Sequence, residues 1–108
     1  MAPATEDHIF IKSDGQIVKI PVSSIIYAES AKDYVFIHTP NQRYMALLPL
    51  KQLEEYLPSD QFLRVHRSYL VAIAAVDRLE GNYLYIGTIK VPISRSLHDG
   101  IYQRVIGG

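Results

Sequence analysis

Closely spaced turn signals constrain this chain more than any other feature, because the segments between them are long enough only for short strands and short helices. His8 to Lys12 and Gln16 to Ile20 alternate apolar with polar residues around Ser13-Asp14-Gly15. Asp-Gly supplies the backbone angles that a tight hairpin needs, so a hairpin is the economical reading. Ile25 to Ser30 and Tyr34 to Thr39 are β-branched and aromatic runs separated by Ala31-Lys32-Asp33, and Pro40-Asn41 turns the chain into Gln42 to Ala46. These make a second antiparallel set.

At Pro49 the period changes. Leu50, Leu53, Tyr56 and Leu57 recur at helical spacing, with Pro49 suited to the first turn and Pro58 as a stop. Phe62 to Val65, Tyr69 to Ile73, Val76 to Glu80, Tyr83 to Ile86 and Ile89 to Ile93 read as further strands, with Gly81-Asn82 and Gly87-Thr88 as hairpin turns. Ser94 is placed to cap a last helix carrying Leu97, Ile101 and Val105, and Gly100 inside it costs about 1 kcal/mol relative to alanine, which predicts a short or frayed helix. The expected class is mostly β, with small antiparallel sheets and two short helices.

With 108 residues, 48% of them hydrophobic, the chain has the apolar content of one compact domain. We expect a disordered lead-in or linker remnant at residues 1–7, the domain at 8–106 and a frayed end at 107–108. The absence of cysteine excludes disulfides, thiolate nucleophiles and cysteine-ligated zinc. No apolar run approaches the length of a membrane span. The start, Met1 to Asp7, is neither apolar nor basic, so it is not a secretory signal or a transit peptide.

Net charge is zero, yet residues 1–60 hold five Lys/Arg against eight Asp/Glu, and residues 61–108 hold six against three. That asymmetry permits one basic face on a neutral molecule. The stretch Phe62-Leu63-Arg64-Val65-His66-Arg67-Ser68-Tyr69-Leu70 sets two arginines, a histidine, a serine and a tyrosine between apolar anchors without any acid. Arginine can take both guanine O6 and N7 in the major groove, while serine, tyrosine and histidine can donate to phosphate oxygens. Spacing alone also admits a plainer reading, with Arg64 and His66 on the polar face of a half-buried strand and Arg67 capping a turn or pairing with a nearby carboxylate. Ser94-Arg95-Ser96 and Lys32-Asp33-Tyr34 are the other two candidates. The first would offer helix N-terminal amides beside a cation, or be an ordinary cap; the second would offer a cation and an aromatic ring, or be a plain turn.

An enzyme finds little support. His8, His38, His66 and His98 are far apart, with no i, i+4 pair, no glycine-rich phosphate loop and no Gly-x-Ser-x-Gly turn. No catalytic residue, metal site or cofactor is expected. Zero net charge and many tyrosines leave open a β-rich protein-interaction or ligand-sensing module.

Four segments, read in order, resemble the LytTR family of DNA-binding domains from about Ile9 to Val105. They are Ile25-Ile26-Tyr27-Ala28-Glu29-Ser30 followed by Lys32-Asp33-Tyr34-Val35, the helix Leu48 to Pro58, the stretch Phe62 to Val71, and Val91-Pro92-Ile93-Ser94-Arg95. Phe-x-Arg-x-His-Arg-Ser-Tyr is the most recognisable string. The resemblance implies an elongated β-rich fold whose loops, with no recognition helix, read successive major grooves of double-stranded DNA at paired direct repeats. It implies base contacts at Tyr34, Arg67 and Arg95, and backbone contacts at Lys32, Arg64, His66 and Ser68. It further implies the output domain of a cytoplasmic bacterial two-component response regulator, with two copies on one site and a receiver domain preceding it in the full-length protein. The linker-like residues 1–7 fit excision from such a regulator. Ala72 departs from the asparagine common at that position of the family, so no polar contact is expected there.

Overall fold

Two-residue turns set the hairpins. The computed structural model describes residues 8–107, so the expected lead-in and Gly108 lie outside the described residues. Strands β1 (His8–Ser13) and β2 (Gln16–Pro21) pair in register from His8 opposite Pro21 to Ser13 opposite Gln16. Asp14 and Gly15 between them both take positive φ, 53° and 79°, the combination that matches strand twist in the tightest hairpins. The later strands follow as β3 (Tyr27–Ala31), β4 (Tyr34–His38), β5 (Arg43–Ala46), β6 (Phe62–His66), β7 (Tyr69–Ala72), β8 (Arg78–Glu80), β9 (Tyr83–Ile86) and β10 (Ile89–Pro92). Gly81 and Gly87 sit at φ 61° and 60° in the last two hairpin turns.

The strands form three antiparallel sheets. One is the β1-β2 ribbon, one has the order β10-β9-β8, and the central five-stranded sheet runs β5-β4-β3-β7-β6. Both faces of the central sheet are covered. On one side Ala28, Val35, Ile37, Leu70 and Phe62 pack against the β1-β2 ribbon and helix α1 (Leu50–Tyr56), whose Leu50 and Leu53 are buried. On the other, Tyr27, Val65 and Val71 pack against Leu84, Ile86, Val91 and, from helix α2 (His98–Gly107), Ile101. The outline is elongated, 40 × 29 × 24 Å. The mostly β class, the small antiparallel sheets and the two helices agree with the sequence expectation.

Several details differ from that expectation. One-turn 3-10 segments occupy Val22–Ser24, Ile73–Ala75 and Arg95–Leu97; a single turn leaves no periodicity to detect. Tyr56 is exposed on α1, where Gln52 donates to its hydroxyl at 2.6 Å. Leu97 lies in the 3-10 turn and is also exposed, so Ile101 is the buried anchor of α2. Ser94 precedes that turn without capping it, because its hydroxyl pairs with the Ser96 hydroxyl at 3.1 Å. Gly100 does not break α2, and a Cβ there would meet nothing within 4 Å. Gly100→Ala should therefore stabilise the fold by about 0.5–1 kcal/mol, read as a higher denaturant midpoint at unchanged slope.

The second face holds one electrostatic cluster. The Tyr27 ring stacks on His38 at 4.2 Å, and His38 Nε2 lies 2.8 Å from Glu29 Oε1. Burial pushes the Tyr27 phenol above its ordinary value, and the Glu29 carboxylate adds to the shift. The unfolded phenol ionises near pH ~10, below the folded one. Its contribution is complete below that pH and is lost as pH rises through the folded value, since the unfolded state then binds fewer protons. Equilibrium unfolding from pH 8 upward should show a smaller alkaline decline in Tyr27→Phe than in the parent chain.

Candidate nucleic-acid interface

Pairing of β3 with β7 decides where the candidate residues meet. Tyr27 lies opposite Val71, Ala28 opposite Leu70 and Glu29 opposite Tyr69. Just beyond, the Ser30 N–H donates to the Ser68 carbonyl at 2.9 Å. The β3-β4 turn, with Lys32 and Asp33, therefore stands beside the β6-β7 turn, with Arg67 and Ser68. On the far side of β6, the Ser94 N–H donates to the Val65 carbonyl at 2.8 Å, so the chain leading to Arg95 is fastened to the same end of the sheet. Tyr34, Arg67 and Arg95 thus come together in one row of turns. Strands about 4.8 Å apart make that row roughly 15–20 Å long.

The row is open and basic. Lys32, Tyr34, Arg67 and Arg95 are all exposed, and within the three turns Asp33 is the one acid beside Lys32, Arg67 and Arg95. Lys32 holds φ at 58°, a left-handed conformation that costs a non-glycine residue about 1–2 kcal/mol.

A β-bulge shapes the middle turn. Arg64 opposes Leu70 and His66 opposes Tyr69, so Val65 is the extra residue. Val65 is fully buried, and the bulge turns His66 toward Tyr69, whose ring it meets edge-on at 5.8 Å. The Ser68 N–H donates to His66 Nδ1 at 3.1 Å. That bond needs the Nδ1 lone pair, which places the ring proton of neutral His66 on Nε2. His66 is half-buried, as is Ser68.

Arg64 points elsewhere. Its Nε donates to the His66 carbonyl at 2.9 Å, Nη2 to the Arg67 carbonyl at 2.7 Å and Nη1 to Glu54 Oε1 of α1 at 2.9 Å. Of the seven residues that the sequence suggests, Arg64 is the one whose charge is met by a carboxylate among the described residues. Glu54 was not among the seven, because an acid on the polar face of a helix ten residues away carries no sign of its partner.

Two shallow depressions lie at the opposite end of β6 and β7. One is bounded by Val22, Ile25, Phe62 and Ala74, the other by Ser59, Ile73 and Arg104. Neither shares a residue with the row. Among the described residues no three His, Asp or Glu side chains gather closely enough to hold a metal ion, and no helix is long and apolar enough to cross a membrane.

Comparison with known proteins places this architecture. Residues 15–105 match the model of the LytTr DNA-binding domain. The chain is similar to the transcriptional regulatory protein YpdB of Escherichia coli, at 31% identity over 97 residues, covering 83% of this chain and 40% of YpdB. It is also similar to the CO-responsive transcriptional regulator RcoM of Rhodospirillum rubrum, at 39% identity over 84 residues, covering 71% of this chain and 36% of RcoM. The chain thus spans about two fifths of the length of these relatives, which are transcriptional regulators. A solved LytTr DNA-binding domain from Bacillus cereus has the same fold, with a TM-score of 0.78 at 20% identity, over 95% of this chain and 99% of that one. The chain belongs to the LytTr DNA-binding domain family.

Proposed function

We propose that this chain binds double-stranded DNA sequence-specifically, as the output domain of a bacterial two-component response regulator acting in the cytoplasm. The observation that carries this reading is the row of three exposed turns at one end of the central sheet, tied together by the Ser30–Ser68 and Ser94–Val65 backbone hydrogen bonds. A row of roughly 15–20 Å exceeds the ~12 Å width of one major groove. Arg67 stands between Tyr34 and Arg95 in that row, and because successive major grooves recur only every ~34 Å, the two ends reach neighbouring grooves by side-chain length and bending of the duplex. Arg67 and Arg95 would read guanine edges, and Tyr34 a base edge or a thymine methyl. Lys32 and Ser68 would contact phosphates. His66 would join them through Nε2–H, the donor left outward once Nδ1 is engaged by the turn.

Paired direct repeats follow as the expected site, each occupied by one copy of the domain. A receiver domain would precede the output domain in the full-length protein, as the share of each relative's length allows. Selection from a random duplex pool tests the proposal: winners should carry paired direct repeats. A pool that yields no winner, with a protein partner retained after nuclease treatment, would point instead to an interaction module.

Three quantitative outcomes are expected with a selected duplex. Affinity should fall steeply with salt, since each neutralised phosphate contributes about −0.9 to the slope of log K against log salt. Arg67→Ala and Arg95→Ala should each cost about 1–3 kcal/mol and relax preference at one base pair, measured by competition with single-substitution duplexes. Lys32→Gly should flatten the salt slope by about 1 without loss of thermal stability, because glycine relieves the left-handed backbone at that position. A salt-independent affinity, or an unaltered base preference in both arginine variants, contradicts the assignment.

A further inference from the structure

We propose that Glu54 and Arg64 are a positioning pair: they hold the β6-β7 turn in the shape that aims Arg67, and so set base preference without touching DNA. The inference rests on the reading of Arg67 as a base contact. Its geometric basis is the guanidinium of Arg64, which bonds the carbonyls of both His66 and Arg67, the two peptide groups flanking the Arg67 side chain, while its third donor is held by Glu54.

The pair has a rigid origin. Helix α1 is pinned to the central sheet by Leu53, which has no exposed surface. Arg64 lies opposite Leu70, on the face of the sheet that α1 covers, because the bulge at Val65 follows it and does not precede it. Position therefore passes from a helix anchored on the sheet by Leu50 and Leu53 through a charge-assisted bond to the turn carbonyls. Arginine suits this part because its planar fork presents donors in fixed directions, which a lysine ammonium does not.

The family resemblance implies a phosphate contact for Arg64, and the two roles predict opposite results. If Arg64 served the phosphate backbone, removing the Glu54 charge would strengthen binding to every duplex alike, and lysine would replace Arg64 tolerably. In the positioning role, Glu54→Gln loosens the turn and weakens discrimination, although it removes a negative charge near DNA.

The test uses the full chain and a duplex selected from a random pool, with competition by single-substitution duplexes, a salt series, and amide hydrogen exchange on the free protein. Glu54→Gln and Arg64→Lys should each lose roughly two- to fivefold discrimination, the range of a half-exposed ion pair, at the same base pair that Arg67→Ala relaxes. The salt slope should not move. Arg64→Lys combined with Arg67→Ala should lose no more at that base pair than Arg67→Ala alone. In Glu54→Gln the Ser68 amide, bonded to His66 Nδ1, should exchange faster. Uniformly tighter binding by Glu54→Gln with intact discrimination overturns the proposal, as does full discrimination retained in Arg64→Lys, the result a phosphate contact predicts. If the parent chain selects no duplex, the functional reading fails separately, and unchanged Ser68 exchange in Glu54→Gln then overturns the pair on its own.

Discussion

The antiparallel pairing of β3 with β7 is the constraint on which the rest depends. Without it the chain would hold a three-stranded meander and a separate hairpin, each with one face to bury. With Ala28 opposite Leu70 and Glu29 opposite Tyr69, they become one sheet whose two faces support two cores. One core is closed by α1 and the β1-β2 ribbon, the other by the β8-β10 sheet and α2. The same register sets turns that are distant in sequence side by side, so the fold's stability and the candidate interface share a cause.

A neutral molecule gains a basic edge by local placement. Lys32, Arg67 and Arg95 share a short row in which Asp33 is the one acid of the three turns. At contact distances this arrangement matters more than net charge, because salt screens exposed charges beyond about 8–10 Å. Arg64 adds little to that field, since Glu54 answers its charge. Its effect is mechanical, exerted on backbone carbonyls. The left-handed Lys32 and the bulge at Val65 are likewise local departures from regular strand geometry, and both sit at this end of the sheet.

Hairpins were legible because their turn chemistry is local: Asp14-Gly15, Gly81-Asn82 and Gly87-Thr88 each announce a tight turn within two residues. Helix α1 was legible from the spacing of Leu50 and Leu53 between two prolines. The β3-β7 register was not, since nothing in either strand names a partner some forty residues away. The consecutive buried residues Leu70, Val71 and Ala72 are what a strand covered on both faces requires, but a run that short does not identify the elements that cover it. Among the candidate residues, the chemistry of Tyr34, Arg67 and Arg95 was readable in type, and their convergence only from the fold. Arg64 was visible as a cation, while its direction depends on a one-residue bulge and on a helix acid, neither of which leaves a pattern in the sequence.

The central claim is that the three turns at one end of the five-stranded sheet form the DNA-binding surface. Backbone amide NMR of the chain titrated with a selected duplex addresses it most directly. The account predicts that shifts and lost exchange concentrate at residues 30–34, 65–69 and 94–97, with residues 59–61 and 104–105 at the other end unaffected. Shifts centred on the β1-β2 ribbon or on the depressions around Phe62 and Arg104, with the three turns unmoved, would contradict it.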